Sequence, residues 1–132
     1  MEITEKERLM LVEKKEEIRE LTEQIIELST SFRNGEEIKQ CVTGILSLLS
    51  TIASYSDSKN YDLNTITELA NLVCENLRRP SDLTPFDKAV WHLREASLVR
   101  FCNVVNSIRF DFTKRGIKIN VPKIDITIFR HG

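Results

Sequence analysis

The chain has 132 residues, a formal net charge of −1, 41% hydrophobic residues and 30% charged residues. That length suits one domain with a core of its own, and the composition excludes a disordered or low-complexity protein. Three cysteines, Cys41, Cys74 and Cys102, each stand alone in an apolar stretch. This pattern excludes a disulfide scaffold and a zinc finger and reads as buried free thiols in a reducing compartment.

The first element announces itself at Thr4-Glu5-Lys6-Glu7, the pattern of a capping box with Thr4 at N-cap and Glu7 at N3. The helix it opens is expected to reach Phe32. Leu11, Ile18, Ile25 and Phe32 recur every seven residues, with Leu21 and Leu28 in the alternate seam. Such a stripe must lie along another helix, because one helix alone cannot bury it. Gly35 or Asn34 is expected to supply a left-handed cap.

The second helix is expected over residues 36–54, with Ile38, Val42, Ile45, Leu49 and Ile52 on one face. The short connection predicts an antiparallel helical hairpin. Gly44 costs roughly 1 kcal/mol of helix propensity against alanine and points to close approach of a neighbouring helix. After a polar loop over residues 55–62, a third helix is expected over residues 63–79, with Ile66, Leu69, Ala70, Val73 and Leu77 on one face and Pro80 as its stop. Thr84-Pro85-Phe86-Asp87 places Thr at N-cap, Pro at N1 and an acid at N3. The fourth helix is expected to run from there to Phe112 or Thr113. Trp91, Leu98, Val105 and Phe112 form one stripe, and Phe86, Val90, Leu93, Val104 and Ile108 a second, so this helix reads as central.

From Gly116 onward the period changes. Ile117, Ile119 and Val121 alternate with polar residues, and after Pro122 so do Ile124, Ile126 and Ile128. Period two with β-branched residues predicts strand. Pro122 restricts such a strand to an edge or a bend. The expected architecture is therefore all-α: a four-helix bundle over residues 1–116, with an antiparallel helix 1–2 hairpin and a long central helix 4, followed by an extended or β-patterned tail over 117–132.

Charge is unevenly spread. Residues 1–68 hold 14 acids and 8 bases, and residues 69–132 hold 6 acids and 11 bases. The opposed halves are expected to neutralise each other by packing, or else to leave a basic C-terminal surface for an acidic partner.

Catalytic and metal motifs do not emerge. His92 stands alone in helix 4 and His131 is next to last. No Glu-x-x-His pair, His-Glu-x-x-His, Cys-x-x-Cys or Gly-rich phosphate loop is present. Glu16, Glu17 and Glu20 form Glu-Glu-x-x-Glu, which resembles the first half of the metal-binding motif of MazG-type helical nucleotide pyrophosphohydrolases. That resemblance implies a second half, Glu-x-x-Asp on a later helix, but Glu75 is followed by Arg78. Lys14, Lys15 and Arg19 interleave with the acids at ion-pair spacing, so the run reads as a solvated face. The Arg-then-His spacing of helical HEPN nucleases is missing after both Arg94 and Arg100.

The sequence therefore points to a non-catalytic, cytoplasmic interaction or assembly protein without cofactor or metal. No window reaches the roughly 20 apolar residues of a membrane span, and the charged start of the chain carries no leader pattern. Homo-oligomerisation is expected through Leu9, Leu11 and Val12 of helix 1, which a shorter helix 3 would leave uncovered, together with Phe110, Ile124, Ile126, Ile128 and Phe129. A small viral or mobile-element protein that binds a foreign protein fits the same size and lack of motifs. The alternative is a nucleic-acid-associated protein using Arg109, Lys114, Arg115, Lys118, Lys123 and Arg130 on phosphates. Helix 4 is too apolar to read a major groove, so this alternative is not favoured.

Overall fold

The computed structural model describes residues 2–29, 35–56, 63–77 and 85–126, with side chains at all of these except 76 and 85–94. Four helices, α1 (Glu5–Leu28), α2 (Gly35–Ala53), α3 (Leu63–Asn76) and α4 (Pro85–Asn106), precede two strands, β1 (Arg109–Thr113) and β2 (Gly116–Asn120). The protein is mostly helical, with one small antiparallel sheet.

The start of α1 forms as its sequence predicts. Glu7 N donates to Thr4 Oγ1 (3.1 Å) and Thr4 N donates to Glu7 Oε1 (3.0 Å), so two otherwise orphaned donors are satisfied. The helix ends four residues earlier than expected, with Ser29 as its C-cap in an ordinary right-handed conformation. Gly35 is the first residue of α2 rather than a left-handed cap. The expected helical position of Phe32 lies outside the described residues.

The heptad seam of α1 is internal. Leu11, Ile18 and Ile25 are buried with Ile38, Val42, Ile45, Leu49 and Ile52 of α2. From α3 come Ile66, Leu69, Ala70 and Val73, and from the described half of α4 come Leu98, Phe101, Cys102 and Val105. The second helix packs on α1 and α3, and α4 packs on α1 and α3. Gly44 does permit a close approach: a Cβ added there would lie 3.2 Å from Leu21 Cδ1 of α1. At the α1–α4 contact the fully buried Thr22 carries its hydroxyl 2.7 Å from Arg19 O and 3.2 Å from Asn106 Oδ1.

The C-terminal third departs from the expected fold. The fourth helix stops at Asn106, six residues before Phe112. Ser107 N is shared between Asn103 O (3.0 Å) and Val104 O (3.1 Å), and Ile108 N tightens onto Val105 O (3.2 Å). The chain then turns into β1, which pairs with the first half of the supposed tail. The start of the β-patterned stretch folds back, because Ile117 and Ile119 are buried in the common core. The all-α class gives way to a mostly helical protein with a two-stranded antiparallel sheet, in which the strand expected from Ile117 onward forms as β2. The physical reason is visible in residues 108–113, where Ile108, Phe110 and Phe112 alternate with Arg109, Asp111 and Thr113. The same apolar residues satisfy both a helical and a period-two reading, and burial against α1 selects the strand. Residues 121–125 are not strand, and the second alternating run, from Ile124, continues beyond the described residues.

A candidate interaction surface on the hairpin and helix 1

The hairpin turns at Lys114-Arg115, between the paired Thr113 and Gly116. Neither Lys114 nor Arg115 takes a positive φ, so the mirror-image turns usual in two-residue loops are not used. The reversal is completed at Gly116, whose φ of 151° disfavours any residue with a Cβ. Thr113 Oγ1 accepts from Arg115 N (3.3 Å) and also lies 3.3 Å from Gly116 O, tying the turn to its flanks.

Phe110 lies opposite Ile119, and Phe112 opposite Ile117. These four residues make the inner face: the two isoleucines are buried and the two phenylalanines half-buried. The aromatic rings sit beside α1, with the Arg8 guanidinium 5.1 Å from the Phe112 centroid and Lys15 Nζ 5.9 Å from that of Phe110. Contacts at these distances between a cation and a ring face are attractive. Phe110, expected as an interface residue, thus has the flank of α1 as a neighbour within the chain.

The outer face carries Arg109, Asp111, Thr113, Lys118 and Asn120. Asn120 Nδ2 donates to Asp111 Oδ2 (2.7 Å), and Arg109 Nη2 lies 3.7 Å from the same oxygen. Both ionic side chains are well exposed, so their pairing adds little to stability.

The two long edges of the sheet differ. Along β2, Ile117 N donates to Tyr55 O (3.1 Å) and Ser56 bridges Ile117 in parallel, so the end of α2 covers that edge. Along β1, no further strand is paired among the described residues. Because Ile117 N points to Tyr55, Phe112 and Ile117 form a non-hydrogen-bonded pair, and by alternation so do Phe110 and Ile119. The backbone N–H and C=O groups of Phe110 and Phe112 therefore project from the outer edge of β1.

Beside this edge runs the flank of α1. A groove of about 380 Å³ lies between them, lined among others by Lys15, Ile18, Arg19, Val105, Ile108 and Phe110. Arg19 bonds Glu16 and Glu23 within its helix. The Glu16 carboxyl is held below its usual range by the Arg19 hydrogen bond, and Arg19 is raised in return. The acid run of α1 is thus partly neutralised on its own helix. Among the described residues no group of three His, Cys, Asp or Glu side chains converges on a metal-sized position. Burial, with Cys41 nearby, pushes the Cys102 thiol up to about 12, and burial also raises Cys41. Neither thiol is a nucleophile at neutral pH.

Leu9 (58% exposed) and Val12 (46%) stand out on the surface of α1. Leu11 (1%) does not: it belongs to the core and leaves the candidate interface, because its heptad register is the internal seam. Ile124 is half-buried against the core and Ile126 is half-exposed. Ile128, Phe129 and Arg130 lie outside the described residues. Arg109, Lys114, Arg115, Lys118 and Lys123, drawn from a supposed helix end and a supposed tail, are brought together on one hairpin and its exit, all exposed. Ile26 (40% exposed) was not expected there. Its signal was the fourteen-residue spacing from Val12, the same heptad phase one step off the seam.

No helix among the described residues is long and apolar enough to cross a membrane. Set against known proteins, the chain matches no family model, no curated protein and no solved structure.

Proposed function

We propose that this chain is a non-catalytic protein–protein interaction or assembly protein that acts as a homo-oligomer, with a working surface made of the β1 edge and the adjoining flank of α1. The observation that carries this reading is a β1 edge on which no further strand is paired among the described residues, beside a helix that exposes Leu9 and Val12. Exposed backbone groups on an edge recruit another strand unless they are guarded. A surface helix has no internal need for a leucine and a valine in water. The helix arrangement read from the sequence remains part of the proposal. Neighbour pairs α1–α2, α2–α3, α3–α4 and α4–α1 close a ring, which supports a four-helix bundle, and the Gly44–Leu21 approach supports an antiparallel α1–α2 hairpin. A cytoplasmic setting fits the free thiols.

The test is Leu9→Glu and Val12→Glu, followed by sedimentation velocity across a concentration series. Self-association is expected to weaken at least tenfold with the melting temperature unchanged. An unchanged association constant in both variants would remove α1 from the surface.

A second reading is favoured by one observation. The hairpin and its exit carry five exposed cations, Arg109, Lys114, Arg115 and Lys118 on the hairpin and Lys123 after it, with Asp111 among them. A two-stranded ribbon fits a DNA major groove, and such cations bind phosphates by releasing counterions. Retention on duplex DNA or RNA that falls steeply between low and moderate salt would support it. No retention at low salt would discard it.

A further inference from the structure

The partner of the β1 edge follows from the chemistry of that edge. Its outward backbone groups belong to Phe110 and Phe112, and its exposed face carries Arg109 and Asp111 two residues apart. An antiparallel copy of the same strand meets this edge in a small number of registers, because outward groups must face outward groups. If the two-fold passes at Asp111, Phe110 bonds Phe112 of the second copy, but the two Asp111 carboxylates then stand directly opposite each other. Like charges in that position oppose pairing. If the two-fold passes at Phe110, the Phe110 N–H and C=O groups exchange two hydrogen bonds across the axis. Each Arg109 then stands opposite the Asp111 of the other copy, in the non-hydrogen-bonded position where side chains approach most closely. Of these two registers one repels and the other makes two ion pairs, whereas a two-fold at Phe112 sets Asp111 opposite Thr113 and Arg109 opposite Arg115 and makes none.

We infer that the partner is a second copy of this chain, joined through β1 in the register centred on Phe110. The inference rests on the reading of the protein as a homo-oligomer and deepens it. The two hairpins become one four-stranded antiparallel sheet, with both inner faces on the same side. The helical parts of the two copies therefore also lie on that side. Helix α1 lies against the Phe110 and Phe112 rings of β1, whereas the Tyr55 end of α2 lies along β2. Helix α1 is thus nearer the axis than α2. Val12 falls between Arg8 and Lys15 on the stripe that faces those rings, and Leu9 lies one turn away. The same two-fold brings this exposed stretch toward its counterpart, so one symmetry operation accounts for both the open edge and the exposed side chains. The interface is isologous and closes at two copies.

The test mixes charge variants. Arg109→Asp sets a carboxylate against the Asp111 of the other copy, and Asp111→Arg sets a guanidinium against its Arg109. Each variant alone is therefore expected to dimerise at least tenfold more weakly than the parent. Mixed one to one, the two chains face acid with base at both positions. They are expected to form a heterodimer of near-parental affinity, and the double variant R109D/D111R is expected to form a homodimer. Circular dichroism and melting temperature establish that each variant is folded. If Asp111→Arg does not fold, an oxidised mixture of Arg109→Cys and Asp111→Cys chains replaces it. The opposed positions lie at about 4.5 Å between Cα atoms, within disulfide reach, and a cross-linked 109–111 heterodimer is expected. Single variants that dimerise like the parent, or a mixture that is not rescued, overturn the β1 register while leaving self-assembly through another face intact. A parent chain that is monomeric throughout overturns both readings.

Discussion

Ile117→Ala separates the hairpin structure from the long-helix alternative. Ile117 is 1% exposed, pairs with Phe112 and donates its backbone N–H to Tyr55 O, so it joins the sheet to the helices. Truncation removes three carbons. At about 0.8 kcal/mol per buried methylene the transfer loss is ~2.4 kcal/mol, and the residual cavity brings the expected cost to ~3–4 kcal/mol. For a chain of 132 residues the unfolding entropy is roughly 0.28 kcal/mol/K, so the melting temperature is expected to fall by ~10–14 °C. Lys118→Ala on the same strand, exposed, is the control, with an expected change within ~0.5 kcal/mol. Urea unfolding with linear extrapolation, supported by calorimetry, reads both. If α4 continued through Thr113 instead, Ile117 would lie past its end in an unpacked tail. Equal costs for the two variants, both near zero, would therefore refute the packing described for β2.

Three further outcomes are expected. Thr4→Ala removes one half of the capping box and is expected to cost ~1 kcal/mol in urea unfolding, with the loss confined to fraying at the start of α1 in hydrogen exchange. A chain ending at Gly116 loses the buried Ile117 and Ile119 and is expected to lack a cooperative thermal transition, whereas one ending at Lys123 keeps it. The Cys102 thiol is pushed from 9.0 up to about 12 in the folded protein, so the unfolded chain deprotonates first as pH rises. Stability from this group is complete below about pH 9 and is expected to fall by about 1.4 kcal/mol per pH unit from there toward pH 12, a slope that Cys102→Ala reduces in urea titrations to the part left by the raised Cys41 thiol.

Much of the helical part was legible in the chain. The capping box, the Pro85 start and the apolar faces of α1, α2 and α3 are local signals, and each is decided by side chains within two turns. The end of α4 was not legible for a specific reason. Val105, Ile108 and Phe112 continue a helical stripe, while Ile108, Phe110 and Phe112 make a period-two run, and the sequence contains no proline or glycine between Asn106 and Thr113 to decide between them. The decision comes from α1, about 100 residues earlier, whose Arg8 and Lys15 receive the two aromatic rings. The candidate surface was half visible for a related reason. Leu9 and Val12 stand out as apolar residues off the seam, but Leu11 beside them is indistinguishable until the neighbours of α1 are known. The basic residues looked dispersed because a helix and a tail would have separated them, and only the pairing of β1 with β2 collects them.

The most direct measurement is the solution mass of the chain by light scattering over a hundredfold range of concentration. A rise from 15.3 kDa toward twice that value is expected, with no larger species at saturation. A mass that stays at 15.3 kDa throughout would contradict it.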